Sequence, residues 1–246
     1  FKESVICGVE VFQELKKNLA KKGFSTAVGD EGGFAPNIYS SEEALELICE
    51  AITSSGYKVG DEVSFALDCA STEIFNNDVY ELNKKKLSSH DLIKFLKSLK
   101  DKFPITSIED ALDENDWDSW VDLTKILGSE TQLVGDDLFV TNKTFLKKGI
   151  EMKAGNAVLI KINQIGTLSE TLETIKLALD NKFNCIISHR SGETEDNFIA
   201  DLAVATGAGQ IKTGAPSRSD RTSKYNRLLY IDSIENLTFD GEKEIR

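Results

Sequence analysis

Six short apolar runs in this chain each lead into a polar side chain, and that recurrence constrains the fold more than any other feature. Asp68 closes VSFALD, Glu109 lies in ITSIED, Asp136 in QLVGDD, Lys161 ends AVLIK, His189 ends CIISH and Lys212 ends GQIK. Consecutive members lie about 25 to 40 residues apart, the length of one strand–helix repeat in an α/β barrel. Strands in such a barrel are parallel, so their C-terminal ends share one mouth, and six scattered residues become one cluster. Three carboxylates, two lysines and a histidine in that series have the make-up of a site.

The runs place strands at 63–68, 105–109, 132–135, 157–161, 184–188 and 209–212. Helical patterning falls at 89–102, 116–127, 143–150, 168–181, 195–206 and 219–229. Ahead of them, Val5, Val9, Phe12, Leu15 and Leu19 have helical spacing over 2–21, and Gly23 stops that helix. Ser40 and Glu43 fit a capping box that opens a second helix running to about Ser54. Asn76, Asn77 and Asp78 supply turn chemistry for a small hairpin over 73–83. The expected architecture is a single α/β domain over 1–246, a TIM-type barrel with six strands where a closed barrel has eight. The chain starts at Phe1 and its one methionine is Met152. The missing initiator methionine predicts a truncation, and the count of six strands against eight independently predicts that two preceding strands are removed.

Composition narrows the function classes. A net charge of −12 argues against a nucleic-acid surface, which would need a basic stripe. It does not exclude anionic substrates, since metal ions and lysines can reverse the sign locally. No apolar run approaches the roughly 20 residues that span a membrane. Cys7, Cys49, Cys69 and Cys185 form no C-x-x-C motif and sit in apolar stretches, which points to a reducing compartment, the cytoplasm.

Asp68, Glu109 and Asp136 are the metal candidates, because hard divalent cations choose oxygen ligands. Each acid alone would be a loop-start or capping residue; jointly, at consecutive strand ends, they suit a metal, and Asp137 could orient coordinated water. Lys161 closes a very apolar strand, where a partly desolvated lysine can serve as a base. Lys212 ends the last strand. A lysine snorkelling from a strand edge is the bland alternative for either one. In SHRSGETED, Arg190 offers a planar fork for phosphate, and Ser191 with the amides around Gly192 could bind an anion ahead of a helix. Helix capping explains Ser191, Glu193 and Thr194 but not His189 and Arg190. GDEGG places Glu31 on a glycine-rich loop where a shared-proton carboxyl could act as a general acid, although on spacing alone a turn is the simpler account. Neither G-x-x-x-x-G-K-[ST] nor GxGxxG is present, so it is no nucleotide loop.

GDEGGFAPN, LDCASTE, SIED, GDDLFVTN, KINQIGTLSET, SHRSGETED and GQIKTGAPSRSDR together resemble the enolase family, in uninterrupted order from about Phe1 to the end. SIEDALDENDW looks more like the bacterial members. The resemblance implies the incomplete barrel of the enolase superfamily without its N-terminal domain. It implies reversible dehydration of 2-phosphoglycerate to phosphoenolpyruvate in glycolysis, with two Mg²⁺ per site. Carried over by motif, Asp68, Glu109 and Asp136 would hold the tightly bound Mg²⁺. Lys161 would remove the C2 proton and Glu31 would help hydroxide leave C3. His189, Arg190, Ser191 and Lys212 would contact substrate, the last at its carboxylate.

Family members are homodimers at full length and also occur in RNA-degrading complexes and at cell surfaces, so the resemblance admits a binding role as well. Related acid-sugar dehydratases carry Lys-x-Lys on a barrel strand; Lys161-Ile162-Asn163 departs from that. The family's N-terminal part supplies a mobile serine loop, a glycine- and histidine-bearing loop and a glutamate that partners Glu31. The expectation is therefore that this polypeptide alone is inactive or impaired.

Overall fold

The computed structural model describes residues 1–235 and 237–245. It divides into two compact units. Unit 1 comprises Phe1–Val63, Ser188–Gly207 and Ile211–Asp240; unit 2 comprises Ser64–Ile187, Ala208–Gln210 and the last residues from Gly241.

Unit 1 opens with α1 (Lys2–Lys21) and α2 (Ser41–Ser54), which pack together. The Ser40 hydroxyl accepts the Glu43 amide at 3.1 Å, while the Glu43 carboxylate reaches back to the amide of Tyr39 at 2.9 Å. The capping box thus forms, with its return bond one residue ahead of the cap. Phe12 stacks on Phe34 at 4.4 Å, tying α1 to the loop that follows it. Later in the chain come α8 (Phe198–Thr206) and α9 (Ser219–Ile234), joined by a forked Arg227–Asp201 pair at 2.6–3.1 Å.

Unit 2 carries most of a six-stranded sheet. Its strands are β1 (Phe65–Asp68), β5 (Ile105–Glu109), β6 (Gln132–Gly135), β7 (Ala157–Ile160), β8 (Asn184–Ser188) and β9 (Gly209–Lys212), in the order β1-β5-β6-β7-β8-β9. Between β1 and β5 lie a three-stranded meander, β2 (Phe75–Asn76), β3 (Val79–Leu82) and β4 (Lys85–Leu87), and the helix α3 (Ser89–Lys102). The connections onward from β5 are α4 (Trp117–Leu127), α5 (Lys143–Met152), the single turn α6 (Ile162–Ile165) and α7 (Leu168–Asp180). Helix α3 buries Leu92, Ile93, Leu96 and Leu99, and α4 buries Trp120, Leu123 and Leu127, each a stripe of period 3.6. The chain forms the sheet of an incomplete α/β barrel, in which β1, β5, β6, β7 and β8 pair in parallel.

Parallel register decides which side chains share a face, because paired residues point the same way and neighbours along a strand alternate. Asp68 pairs with Glu109, Glu109 with Val134, Val134 with Ala157, and Leu159 with Ile186. One face therefore carries the buried cluster Val134, Ala157, Leu159 and Ile186. By alternation the same face leads on to Asp136 after β6 and Lys161 after β7. Toward the N-terminal ends it carries a polar layer in which Gln132 bonds Ser107 at 3.0 Å, Asn184 at 2.7 Å and, reciprocally, the amide of Gln210 at 2.9 and 2.8 Å. A buried polar group that is fully bonded in this way fixes register as well as packing.

Candidate active site

In unit 2 the candidate residues lie on the loops that follow β1, β5, β6 and β7. The loop after β1 is stitched to the one after β5: Cys69 donates its amide to Glu109 O at 2.9 Å, Ser71 to Asp110 O at 3.1 Å, and the Ser71 hydroxyl to Ala111 O at 3.0 Å. Asp68 is exposed and its Oδ1 accepts the amide of Ala70 at 3.1 Å; Glu109 is buried. Asp110, with φ of 42°, spends both carboxylate oxygens on the amides of Asp136 and Asp137, at 2.9 and 3.0 Å.

Among the described residues, Asp110, Asp136 and Asp137 form a group whose carboxylate oxygens all lie within 4.8 Å of one another. The sequence reading chose Asp68, Glu109 and Asp136, and only Asp136 is common to the two sets. Burial pushes the Asp110 carboxyl up to about 7; the charges of Asp136 and Asp137 add to the rise and the two amide bonds oppose it. Asp137 is raised as well, first by burial and then by Asp136. Acids crowded and desolvated in this way favour a compensating cation.

Lys161 is held at both ends. Its amide donates to the Thr141 hydroxyl at 2.8 Å, and its Nζ donates to Asp136 Oδ2. Asp136 Oδ1 is buried and has no hydrogen-bond partner among the described residues. An orphaned buried carboxylate oxygen, in an all-oxygen donor set, fits a hard cation such as Mg²⁺.

In unit 1 the candidate residues lie on three loops. In the first, Gly29–Gly33 closes a tight turn, with Gly32 donating to Gly29 O at 3.0 Å and Gly29 to Gly33 O at 2.8 Å, which presents Glu31. Gly32 has a φ of +83°, and a Cβ there would stand 3.2 Å from Ser217 O, so glycine is required. In the second, His189 is buried and donates its amide to Lys212 O at 3.0 Å. Its Nε2 lies 3.4 Å from Glu31 Oε1. The Glu31 carboxyl is held down at about 2, first by the bond from His189, against burial, with the charges of Lys212 and Arg221 acting in the same direction. Arg190 is half-buried and its amide donates to Glu193 Oε2 at 3.1 Å; Ser191 is exposed. The third loop ends in α9, where Arg221 is fully buried and donates to His189 Nδ1, Arg190 O, Asp30 O and Ser191 O.

Two further side chains order these loops. Asp110 follows Glu109 in SIED, and Arg221 lies at the end of GQIKTGAPSRSDR. Both act by bonding backbone amides or carbonyls far away in sequence, and no local pattern encodes that.

Within unit 2, acids and a lysine at the C-terminal ends of parallel strands are the arrangement found at the mouths of α/β barrels. The family model described as the enolase C-terminal TIM barrel domain matches residues 1–246, and the chain belongs to that family. Proteins named enolase from Legionella pneumophila strains Lens, Corby and Paris are each 55% identical to it over 241 residues. These matches cover 97% of this chain and 57% of each relative, so the chain spans a little over half their length.

Proposed function

We propose that this chain carries the barrel part of an enolase active site and serves the reversible dehydration of 2-phosphoglycerate to phosphoenolpyruvate, the reaction of a hydro-lyase in glycolysis. The observation that carries the reading is the Lys161–Asp136 pair, a lysine aimed along a strand end at a carboxylate whose other oxygen is buried and, among the described residues, without a hydrogen-bond partner. Asp68, Glu109 and Asp136 are the proposed Mg²⁺ ligands, with Asp110 fixing the Asp136 loop through its amides. Bound Mg²⁺ would offset the negative charge that grows on the substrate carboxylate as the C2 proton leaves.

The remaining roles follow from the chain's own groups. Lys161, in its neutral amine form, takes the C2 proton and becomes the ammonium, and its bond to Asp136 sets the direction of approach. Glu31 is the proposed acid: once it has taken up a proton, it gives that proton to the departing C3 hydroxyl, which leaves as water, and returns to the carboxylate that faces His189 Nε2. Arg190 and Ser191 take the phosphate and Lys212 the carboxylate. Among the described residues no helix is long and apolar enough to cross a membrane. The same reading places the protein in the cytoplasm, as a homodimer at full length, with no nucleic-acid partner of its own.

Phosphoenolpyruvate formation, followed by the absorbance of its enol group in the longest polypeptide the gene encodes, tests the proposal. Lys161→Ala lowers the rate by roughly 10²- to 10⁴-fold, the usual worth of a general base. An unchanged rate in a folded Lys161→Ala protein would remove Lys161 from the mechanism.

A further inference from the structure

Arg221 is fully buried in α9, yet its guanidinium is spent on neighbouring loops rather than on its own helix. Nη2 donates to Asp30 O at 2.8 Å and Ser191 O at 2.7 Å, Nη1 donates to Arg190 O at 2.8 Å, and Nε lies 3.1 Å from Asp220 Oδ2. The remaining contact of Nη1 is His189 Nδ1. Gly214 completes the socket. Its φ is +84°, and a Cβ there would fall 2.6 Å from Arg221 Cδ and 2.7 Å from Glu31 O. Tyr225 holds that glycine from outside by donating to Gly214 O at 2.5 Å. Glycine's missing side chain lets the arginine stem pass directly beneath the loop that carries Glu31.

A guanidinium has five N–H donors and no acceptor. The imidazole nitrogen facing it must therefore present a lone pair, since an Nδ1–H would set two donors head to head in a buried site. Nε2 then carries the ring proton, and Nε2 is the nitrogen 3.4 Å from Glu31 Oε1. We propose that Arg221 is a positioning residue that locks His189 in the Nε2–H tautomer and so keeps the ring proton on the nitrogen nearer Glu31, 3.4 Å from its Oε1. The tautomer stands apart from the reaction proposed above, and its use in proton transfer rests on that reading. A residue that merely clamped the three loops would hold Asp30, Arg190 and Ser191 through their carbonyls without specifying which ring nitrogen is protonated.

The chain has two histidines, and His90 is exposed, so His90→Asn leaves a single imidazole to observe. Long-range ¹H–¹⁵N correlation of the labelled protein reads both ring nitrogens, Nε2 being the one coupled to both ring C–H protons. The expected spectrum has Nε2 at the protonated end of the ¹⁵N range and Nδ1 at the lone-pair end, fully separated. In Arg221→Met the two shifts converge as the tautomers exchange. Should that variant not fold, Arg221→Gln, whose amide can donate or accept, takes its place with the same expected convergence. A protonated Nδ1 in the parent protein overturns the proposal, and so does an unchanged separation in a folded Arg221 variant. A protein that shows the Nε2–H tautomer and its Arg221 dependence but no phosphoenolpyruvate formation would sustain this inference and sink the proposed reaction instead.

Discussion

Glu31 occupies a turn whose backbone is almost entirely committed. Its carbonyl accepts the Ala215 amide at 2.9 Å, the preceding carbonyl of Asp30 accepts Arg221 Nη2 at 2.8 Å, and the glycines on either side close the turn. The carboxylate is thereby carried to His189 with little freedom of its own, which is what a proton-handling group needs. Its carboxyl sits at about 2 against an ordinary 4.5, and that difference has a thermodynamic consequence. A depressed folded-state value means that the unfolded chain binds the proton first as the pH falls. Glu31 therefore contributes stability that is fully present above pH 4.5 and is lost as the pH falls toward 2. Glu31→Gln removes this contribution. Urea unfolding of parent and variant should show a stability difference that is constant above that window and shrinks on acidification within it. A difference independent of pH would place the interaction elsewhere.

At the scale of elements, unit 2 shows how one aromatic ring can dictate its neighbours' size. Phe139 is fully buried on the loop after β6. A Cβ at Gly135, at the end of β6, would stand 2.5 Å from the Phe139 ring, and a Cβ at Gly149, inside α5, would run into the same ring. Helix propensity alone favours Gly149→Ala by about 1 kcal/mol. Overpacking a close-fitted core costs about 1–3 kcal/mol, so packing wins and the variant unfolds at lower denaturant concentration. Phe139→Leu in the same chain should recover part of the loss; stabilisation by Gly149→Ala alone would show that the ring moves aside freely. The same competition explains what was legible in the sequence. The strands β5 and β6, together with α1, α2 and α3, follow directly from apolar periodicity and caps, which are local signals. The hairpin expected at 73–83 is instead the meander β2–β4, with Asn77, Asp78, Asn83 and Lys84 all at positive φ. Strand β4 is KKL, with both lysines exposed, so no alternation announced it. The single turn α6 is too short for a period. In the site, Lys161 and Asp136 were readable from their place after strands, and their contact required only adjacent strands in register. Asp110 and Arg221 were not readable, because a carboxylate that caps two amides 26 and 27 residues away, or a guanidinium that gathers distant carbonyls, has no sequence period.

For the whole molecule, the proposed metal acts on stability one unit at a time. On the proposed function the Mg²⁺ ligands Asp68, Glu109 and Asp136, and the Asp110 that fixes their loop, all belong to unit 2, whereas Glu31, His189 and Arg221 belong to unit 1. A ligand that binds only the folded state stabilises by about 2.7 kcal/mol at a concentration a hundred times its Kd. For a chain of this length that corresponds to a rise in Tm of roughly 5–10 °C. Chelation reverses the rise. Asp136→Asn should abolish it, because the variant keeps the shape of the side chain while removing the charge that holds the cation. The comparison must be made against the variant's own metal-free Tm. Removing the negative partner of Lys161 leaves a largely buried ammonium and lowers that baseline by itself. If calorimetry resolves two transitions, the Mg²⁺-dependent one is that of unit 2, and the other keeps its midpoint at every Mg²⁺ concentration. Hydrogen exchange assigns the transitions, since amides of β5 to β7 report on one unit and those of α1 and α2 on the other. A Mg²⁺ shift confined to α1 and α2, or one that survives in Asp136→Asn, would take the cation away from these strand ends and the proposed chemistry with it.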